Sequence, residues 1–438
     1  MASWPGLRDP ARELRRRAAT ELAQVESLSR AQLAAWQLGR LNDQLRYALA
    51  ASPYYRREWS GHHRRELTDL AELATLPFTT VDAVQAGYPL GMVAVGRSEI
   101  LRYGESTDGD GPPLVGVASA EDSARASVAM ERALGRYFGA DDLVFVAVPY
   151  ELSTGAHDVD HALSGLGAGV VAVGALSPVC PPDRAARMMA ALRPTGLVGT
   201  PSRAVRTFNL LTERGDDPAA VGLRKLLFIG DVCSPARAAK VATAWGAVAV
   251  WCTGSPLTQA VGLPCAEGAL HVAEERYYAE VVDPASGAAA PAGHAGELVL
   301  TTLRSTALPL LRYRTGDLVS LDEARCRCGG PHRTLRHHGR VDDRLRLGER
   351  WLAGLELEQV VLSTPGTGLY CAVGVSDGRL TARVEVTTPG ACADVADALR
   401  AATGVPCVVH PADRRLFLRA QDRVGRRSVR LQDLEAAS

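Results

Sequence analysis

The chain opens with Leu22, Leu28, Leu33, Leu38, Leu41 and Leu45 set among Arg, Gln and Glu at helical spacing. This pattern predicts amphipathic helices ending near Ser52-Pro53, within a helical segment 1–60. From about residue 96 to 250 the pattern changes to short apolar runs, Leu143–Val148, Val170–Val173, Leu197–Gly199, Leu226–Gly230 and Val248–Trp251, each ending near Gly, Pro or Ser. Helical stretches Glu121–Leu134, Ala185–Leu192 and Ala236–Trp245 fill gaps between them. Apolar strands alternating with helices predict an α/β fold with a mostly parallel sheet. Between Ala279 and Leu321 the text is strand-rich. After Gly339 a β-β-α-β order (Leu369–Val375, Leu380–Thr387, Ala391–Ala401, Cys407–His410) predicts a second, smaller α+β unit. The expected division is a large unit, 1–339, and a small mobile one, 340–438.

Composition narrows the function classes. The 438 residues carry 49 basic and 49 acidic side chains, so no net charge draws the chain to nucleic acid or an anionic membrane. No apolar run approaches the length of a membrane span, and the amino terminus is polar and arginine-rich, which reads as a cytoplasmic protein. Only two lysines occur, Lys225 and Lys240, so arginine supplies 47 of the 49 basic groups. Chemistry that needs a lysine anywhere else is therefore excluded. Nine cysteines in a long chain suggest reduced thiols or a metal site rather than a disulfide framework.

Three stretches carry candidate chemistry. Cys326-Arg-Cys328-Gly-Gly-Pro-His332 is a tight knuckle, with Cys265 and His271 upstream; thiolate and imidazole are the ligands that zinc prefers. Cys265 and His271 read equally well as unrelated loop residues on spacing alone. The remaining cysteines, Cys180, Cys233, Cys252, Cys371, Cys392 and Cys407, read as small buried hydrophobes. The Gly-rich stretch Gly104–Pro113 has the look of a phosphate-cradling loop but holds Glu105, Asp108 and Asp110 and no basic residue, so it reads also as a solvated acidic turn. In Leu310–Leu318, Asp317 stands beside Arg312 and Arg314, a ligand-holding or a salt-bridging arrangement.

Taken in order, Glu297–Leu303, Leu308–Asp317, Cys326-x-Cys328-Gly and Gly339-Arg340-Val-Asp342-Asp343 resemble the phenylacetate–CoA ligase branch of the adenylate-forming enzymes. Tyr54-Tyr55-Arg56, Tyr150–Gly155, Gly199-Thr-Pro-Ser202 and Gly268–His271 extend the likeness over about residues 20–435. The resemblance implies a large domain, a small mobile domain, and activation of a carboxylate as an acyl-adenylate for transfer to CoA or an amine. It implies that Asp317 holds the ribose of AMP, that Arg340 assists it, and that Asp231 lies at the adenine side. It implies a structural zinc on Cys265, His271, Cys326 and Cys328.

The same resemblance exposes departures in the ATP chemistry. The family's Ser-Ser-Gly-Thr-Thr-Gly-Lys-Pro loop is Ser106-Thr107-Asp-Gly-Asp-Gly-Pro112-Pro113 here, with proline in the lysine position. Its magnesium-holding glutamate falls on Ser255 of Trp251-Cys-Thr-Gly-Ser255. Its tail lysine falls on Arg427. ATP and magnesium use is accordingly open. One expectation is a divergent ligase that activates an aromatic or other small carboxylate, with transfer to CoA, a carrier protein in trans or an amine in specialised metabolism. The alternative is a non-adenylating homologue that binds an acyl ligand and performs ATP-independent transfer or condensation, or acts as a partner subunit. Arg427 and His157 are the candidate catalytic residues, Ser106, Thr107, Asp231, Asp317 and Arg340 the candidate nucleotide contacts, and Tyr150, Trp251 and Ser255 the candidate walls for a flat acyl group. A homodimer is the candidate assembly.

Overall fold

A computed structural model describes residues 10–61, 66–106, 112–175, 177–424 and 429–437. Helices Pro10–Glu26, Arg30–Ala51 and Pro53–Glu58 open the chain. The second begins at a reciprocal cap, in which Ser29 Oγ accepts from Gln32 N at 3.3 Å and Gln32 Oε1 accepts from Ser29 N at 2.9 Å. Its buried stripe of Leu33, Leu41, Leu45 and Ala48 turns toward the body of the molecule.

A parallel five-stranded sheet follows, with strands in the spatial order Gly169–Ala172, Leu143–Val146, Gly196–Gly199, Lys225–Phe228, Val248–Trp251. Val144, Phe145 and Val146 are at most 1% exposed because helices cover both faces, which is why the run is apolar without alternation. The sequence pattern shows helices near 185–192 and 236–245 but not two further crossovers, Thr154–Gly165 and Pro201–Glu213. Their polar openings are caps: Ser153 Oγ accepts from Ala156 N at 3.4 Å and Thr200 Oγ1 from Arg203 N at 3.2 Å.

The strand-rich middle of the chain forms a seven-stranded antiparallel sheet in the order Tyr277–Val282, Gly296–Thr302, Tyr313–Asp322, Thr334–Arg340, Leu270–Val272, Gln259–Pro264, Thr253–Ser255. A three-stranded sheet, Thr367–Ser376, Arg379–Val386 and Cys407–Pro411, with helix Ala391–Thr403, makes the carboxy-terminal α+β unit. That unit packs on helices Pro201–Glu213 and Pro235–Trp245, where Tyr370, Phe417, Ala420 and Leu434 join one apolar cluster with Ala204, Leu211 and Trp245. Within this contact Arg237 and Glu358 pair at 2.8 Å, both largely out of water, and Asn209 Nδ2 donates to Tyr370 Oη at 2.8 Å. Among the described residues no helix is long and apolar enough to cross a membrane.

Candidate functional site

The two lysines are spent on structure. Lys225 Nζ lies 2.7 Å from both oxygens of buried Asp142, and Lys240 Nζ donates to the Thr367 carbonyl at 2.5 Å. Neither lines the cleft described below.

The antiparallel sheet builds two sites at opposite ends of the strand Thr334–Arg340. At its start, the hairpin of Gln259–Pro264 and Leu270–Val272 sets Cys265 beside His271. The turn between them closes by Gly268 N donating to the Cys265 carbonyl at 2.9 Å. The Cys326–Gly330 knuckle meets this hairpin: Gly329 N donates to the Cys326 carbonyl at 3.0 Å, and Gly330 N donates to Cys328 Sγ at 3.4 Å. Cys265 and Cys326 sulfurs are 3.9 Å apart, Cys328 Sγ and His271 Nε2 3.4 Å, and all four donor atoms fall within 4.8 Å of one another. A tetrahedral zinc with Zn–S near 2.3 Å and Zn–N near 2.0 Å has edges of about 3.8 Å between sulfurs and about 3.5 Å from sulfur to nitrogen. The donor spacing fits it. His271 Nδ1 donates to the His332 carbonyl at 2.7 Å, which leaves Nε2 aimed at the other donors as a ligand needs. Burial holds the His271 imidazole below its ordinary pKa, in the neutral form that binds metal. Of the six other cysteines, Cys233, Cys252 and Cys371 are buried, whereas Cys180, Cys392 and Cys407 are only half-buried. Burial pushes the Cys252 and Cys371 thiols up to about 12, which makes them inert.

At the other end of the same strand is a cleft walled by Leu114, Thr253–Ser255, Thr258, Tyr313, Thr315, Asp317, His337 and Arg340. Gly116 lets these segments meet, since a Cβ there would lie 1.9 Å from the Pro256 carbonyl. Asp317 stands opposite Arg340 in the sheet, and Arg340 Nη1 donates to Asp317 Oδ1 at 2.7 Å. Burial works against ionisation of Asp317, but the His337 imidazole and the Arg340 guanidinium beside it prevail and hold its carboxyl below the ordinary value. Ser255 is tied into a local turn, its hydroxyl accepting from Thr258 N at 3.2 Å. Ser106 Oγ accepts from Leu114 N at 2.8 Å.

Of the residues singled out in the sequence, Asp317, Arg340 and Ser255 therefore meet in one cleft, with Ser106 bonded to a cleft-lining neighbour. Asp231 lies in the turn after Lys225–Phe228, outside the cleft wall, and accepts from Val232 N at 2.8 Å. Trp251 is half-buried among apolar side chains of two core clusters. Tyr150 and His157 meet edge to face at 5.2 Å, and Tyr150 Oη donates to Asp160 at 3.0 Å. Burial first, and then the charge of Arg102, lowers the His157 pKa. None of Tyr150, His157 and Trp251 lines the cleft. Thr107 and Arg427 lie outside the described residues.

His337 is the cleft residue that sequence reading passed over. Strand alternation puts positions 337 and 340 on opposite faces. In the sheet, Leu318 pairs with Gly339 but Val319 with His337, a bulge that inserts His338 and returns His337 to the face of Arg340. Gly339, at φ +110°, supplies the backbone conformation that this needs. The Gly before Arg340 is the one local signal of such a bulge.

This architecture is that of the adenylate-forming CoA ligases. The chain superposes on a 2-hydroxyisobutyryl-CoA ligase, in the postadenylation state with R3-HIB-AMP, at a TM-score of 0.79 and 23% identity, covering 92% of this chain and 94% of that one. With the same ligase in its thioesterification state the TM-score is 0.67, at 24% identity over 89% and 88% of the two chains. In sequence the chain is phenylacetate–CoA ligase-like: it is 29% identical over 379 residues to the phenylacetate–coenzyme A ligase of Aromatoleum evansii, 84% of each chain. No protein-family model matches the chain.

Proposed function

We propose that the protein handles an acyl-adenylate of a small carboxylate, aromatic or similarly compact, with the AMP portion in the Asp317 cleft. The pairing of Asp317 with Arg340 across adjacent strands carries this reading: a carboxylate held ionised suits ribose hydroxyls as donors, and the guanidinium suits the phosphate. In the forward direction a carboxylate oxygen of the acid attacks the α-phosphorus of ATP, the bond to the β-phosphate oxygen breaks, and pyrophosphate leaves. The thiol of CoA or of a carrier protein, or an amine, then attacks the acyl carbon, the bond from that carbon to the phosphate oxygen breaks, and AMP leaves with the nucleophile's proton lost to solvent. Cys265, His271, Cys326 and Cys328 would hold a zinc ion that serves structure, pinning the strand on which His337 and Arg340 stand.

A second reading is favoured by Ser255 and by the engagement of both lysines elsewhere. Each missing charge-stabilising contact costs on the order of 10²–10³ in rate. A cleft lined by no lysine and with Ser255 in place of a carboxylate suits a preactivated acyl donor, used without ATP. Pyrophosphate exchange with purified protein over a panel of aromatic acids separates the two. Exchange that depends on the acid is expected from the first reading. No exchange and no ATP binding by calorimetry would sink it, and product from an acyl-CoA without ATP would establish the second.

A further inference from the structure

The cleft contains one ionisable side chain that no motif of the resembling family supplies. The side chain of His337 is only 8% exposed and its Nε2 lies 3.5 Å from Asp317 Oδ1. Its other ring nitrogen is committed, because Gly339 N donates to His337 Nδ1 at 3.0 Å. A neutral imidazole whose Nδ1 accepts must carry its proton on Nε2, the ring nitrogen nearer the carboxylate. Arg340 approaches the same oxygen, Oδ1, at 2.7 Å. Thr315 Oγ1 accepts from Asp317 N at 3.1 Å and fixes the backbone beneath. Among the described residues no hydrogen bond is made to Oδ2, which leaves that oxygen available to a ligand.

We infer that His337 is a positioning residue, which together with Arg340 clamps Oδ1 of Asp317 so that Oδ2 meets the 2′,3′-diol of a nucleoside monophosphate. The inference rests on the reading of this cleft as the AMP site and assigns a role inside it. The bulge at His338 is the device: without the inserted residue the imidazole would leave the cleft face, and Asp317 would be held from one side only. A carboxylate gripped from two directions loses little rotamer freedom when the diol arrives, so its contribution to affinity falls on the ribose and not on the base or phosphate.

The experiment is calorimetric titration of the full chain with AMP and with 2′-deoxy-AMP, for wild type, His337→Ala, His337→Gln and Asp317→Asn. Wild type is expected to favour AMP. His337→Ala is expected to lose on the order of tenfold in AMP affinity with 2′-deoxy-AMP affinity little changed, as for one charge-assisted contact. His337→Gln, which retains an N–H near the Nε2 position, is expected to recover most of the preference. A merely structural histidine would lower both affinities together, and that result, or an unchanged ratio in His337→Ala, overturns the positioning role while leaving the AMP site standing. A wild type that binds AMP and 2′-deoxy-AMP alike overturns this inference alone, and one that binds neither overturns the AMP reading and this inference with it. Nitrogen-15 NMR of the ligand-free protein checks the clamp separately: His337 must show a protonated Nε2 and an unprotonated Nδ1, and the opposite tautomer would overturn it.

Discussion

The Cys/His cluster and the Asp317 cleft stand at the two ends of one strand, Thr334–Arg340, and differ in how completely their chemistry is furnished. The cluster has four donors of the right kind at the right spacing, contributed by one hairpin and one knuckle. The cleft keeps an anion and two cationic or proton-donating groups where a ribose would lie, and offers Ser255 where a metal-holding carboxylate would serve a triphosphate. One end of the strand is a closed set, and the other has half of its partners. The difference teaches that one sheet strand can carry a complete donor set at one end and, at the other, a cleft in which a carboxylate and its cationic partner stand without a second carboxylate.

The largest effect expected is on the closed end. Replacing Cys328 with Ser removes one of three thiolates from a set that, with His271, offers four donors, and a structural zinc contributes several kcal/mol of folding free energy. Metal analysis should find substoichiometric zinc in Cys328→Ser, with a lower denaturant midpoint and weaker AMP binding, since the strand bearing His337 and Arg340 loses its anchor. Undiminished stoichiometric zinc in that variant would break the comparison at its better-furnished end.

A smaller effect tests the depleted end. Ser255→Glu places a carboxylate in the cleft wall at the loss of a local hydroxyl turn with Thr258. Mg²⁺ is bound through one or two carboxylates together with substrate phosphates. The variant should therefore gain about tenfold in Mg²⁺-dependent ATP affinity, and lose a little AMP affinity by repulsion from Asp317. Calorimetry with and without Mg²⁺ reads both. If no Mg²⁺ dependence appears, lack of a carboxylate is not what distinguishes the two ends.

How far each region can be read from residues follows the same division. Cysteine and histidine suggest a metal set by type, but spacing alone leaves Cys265 and His271 equally readable as loop residues, and it is the strand order that gathers the four donor atoms. The parallel sheet was legible because strands covered on both faces are written as unbroken apolar runs, as in Leu143–Val146. The caps at Ser153 and Thr200 were not separated from loop text, because a polar helix start and a pocket-lining turn use the same residues. His337 was illegible for a stronger reason. Its direction depends on a bulge, and a bulge is a relation between two strands about twenty residues apart in sequence, not a pattern within either. Trp251 reads as an aromatic pocket wall from the positions that the family resemblance suggests, and in the fold its half-buried ring packs against two core clusters.

The smallest expected effect concerns the pH dependence of stability at the cleft. The Asp317 carboxyl is held below its ordinary value: burial opposes this, but the His337 and Arg340 contacts outweigh it. In the unfolded chain the group returns to about 3.9. Above that pH both states are ionised and the stabilisation is fully present. As pH falls below it the unfolded chain takes up the proton first, and the stabilisation is lost as pH drops through the folded value. Asp317→Asn cannot titrate, so its stability should fall less steeply between pH 5 and pH 3 than that of wild type, read as urea midpoints at stepped pH. His337→Ala removes one of the two groups that depress the pKa, and should give a slope between the two. Parallel curves for all three proteins would mean that His337 and Arg340 do not grip an ionised carboxylate, and the ribose end of the cleft would then be no better furnished than the phosphate end.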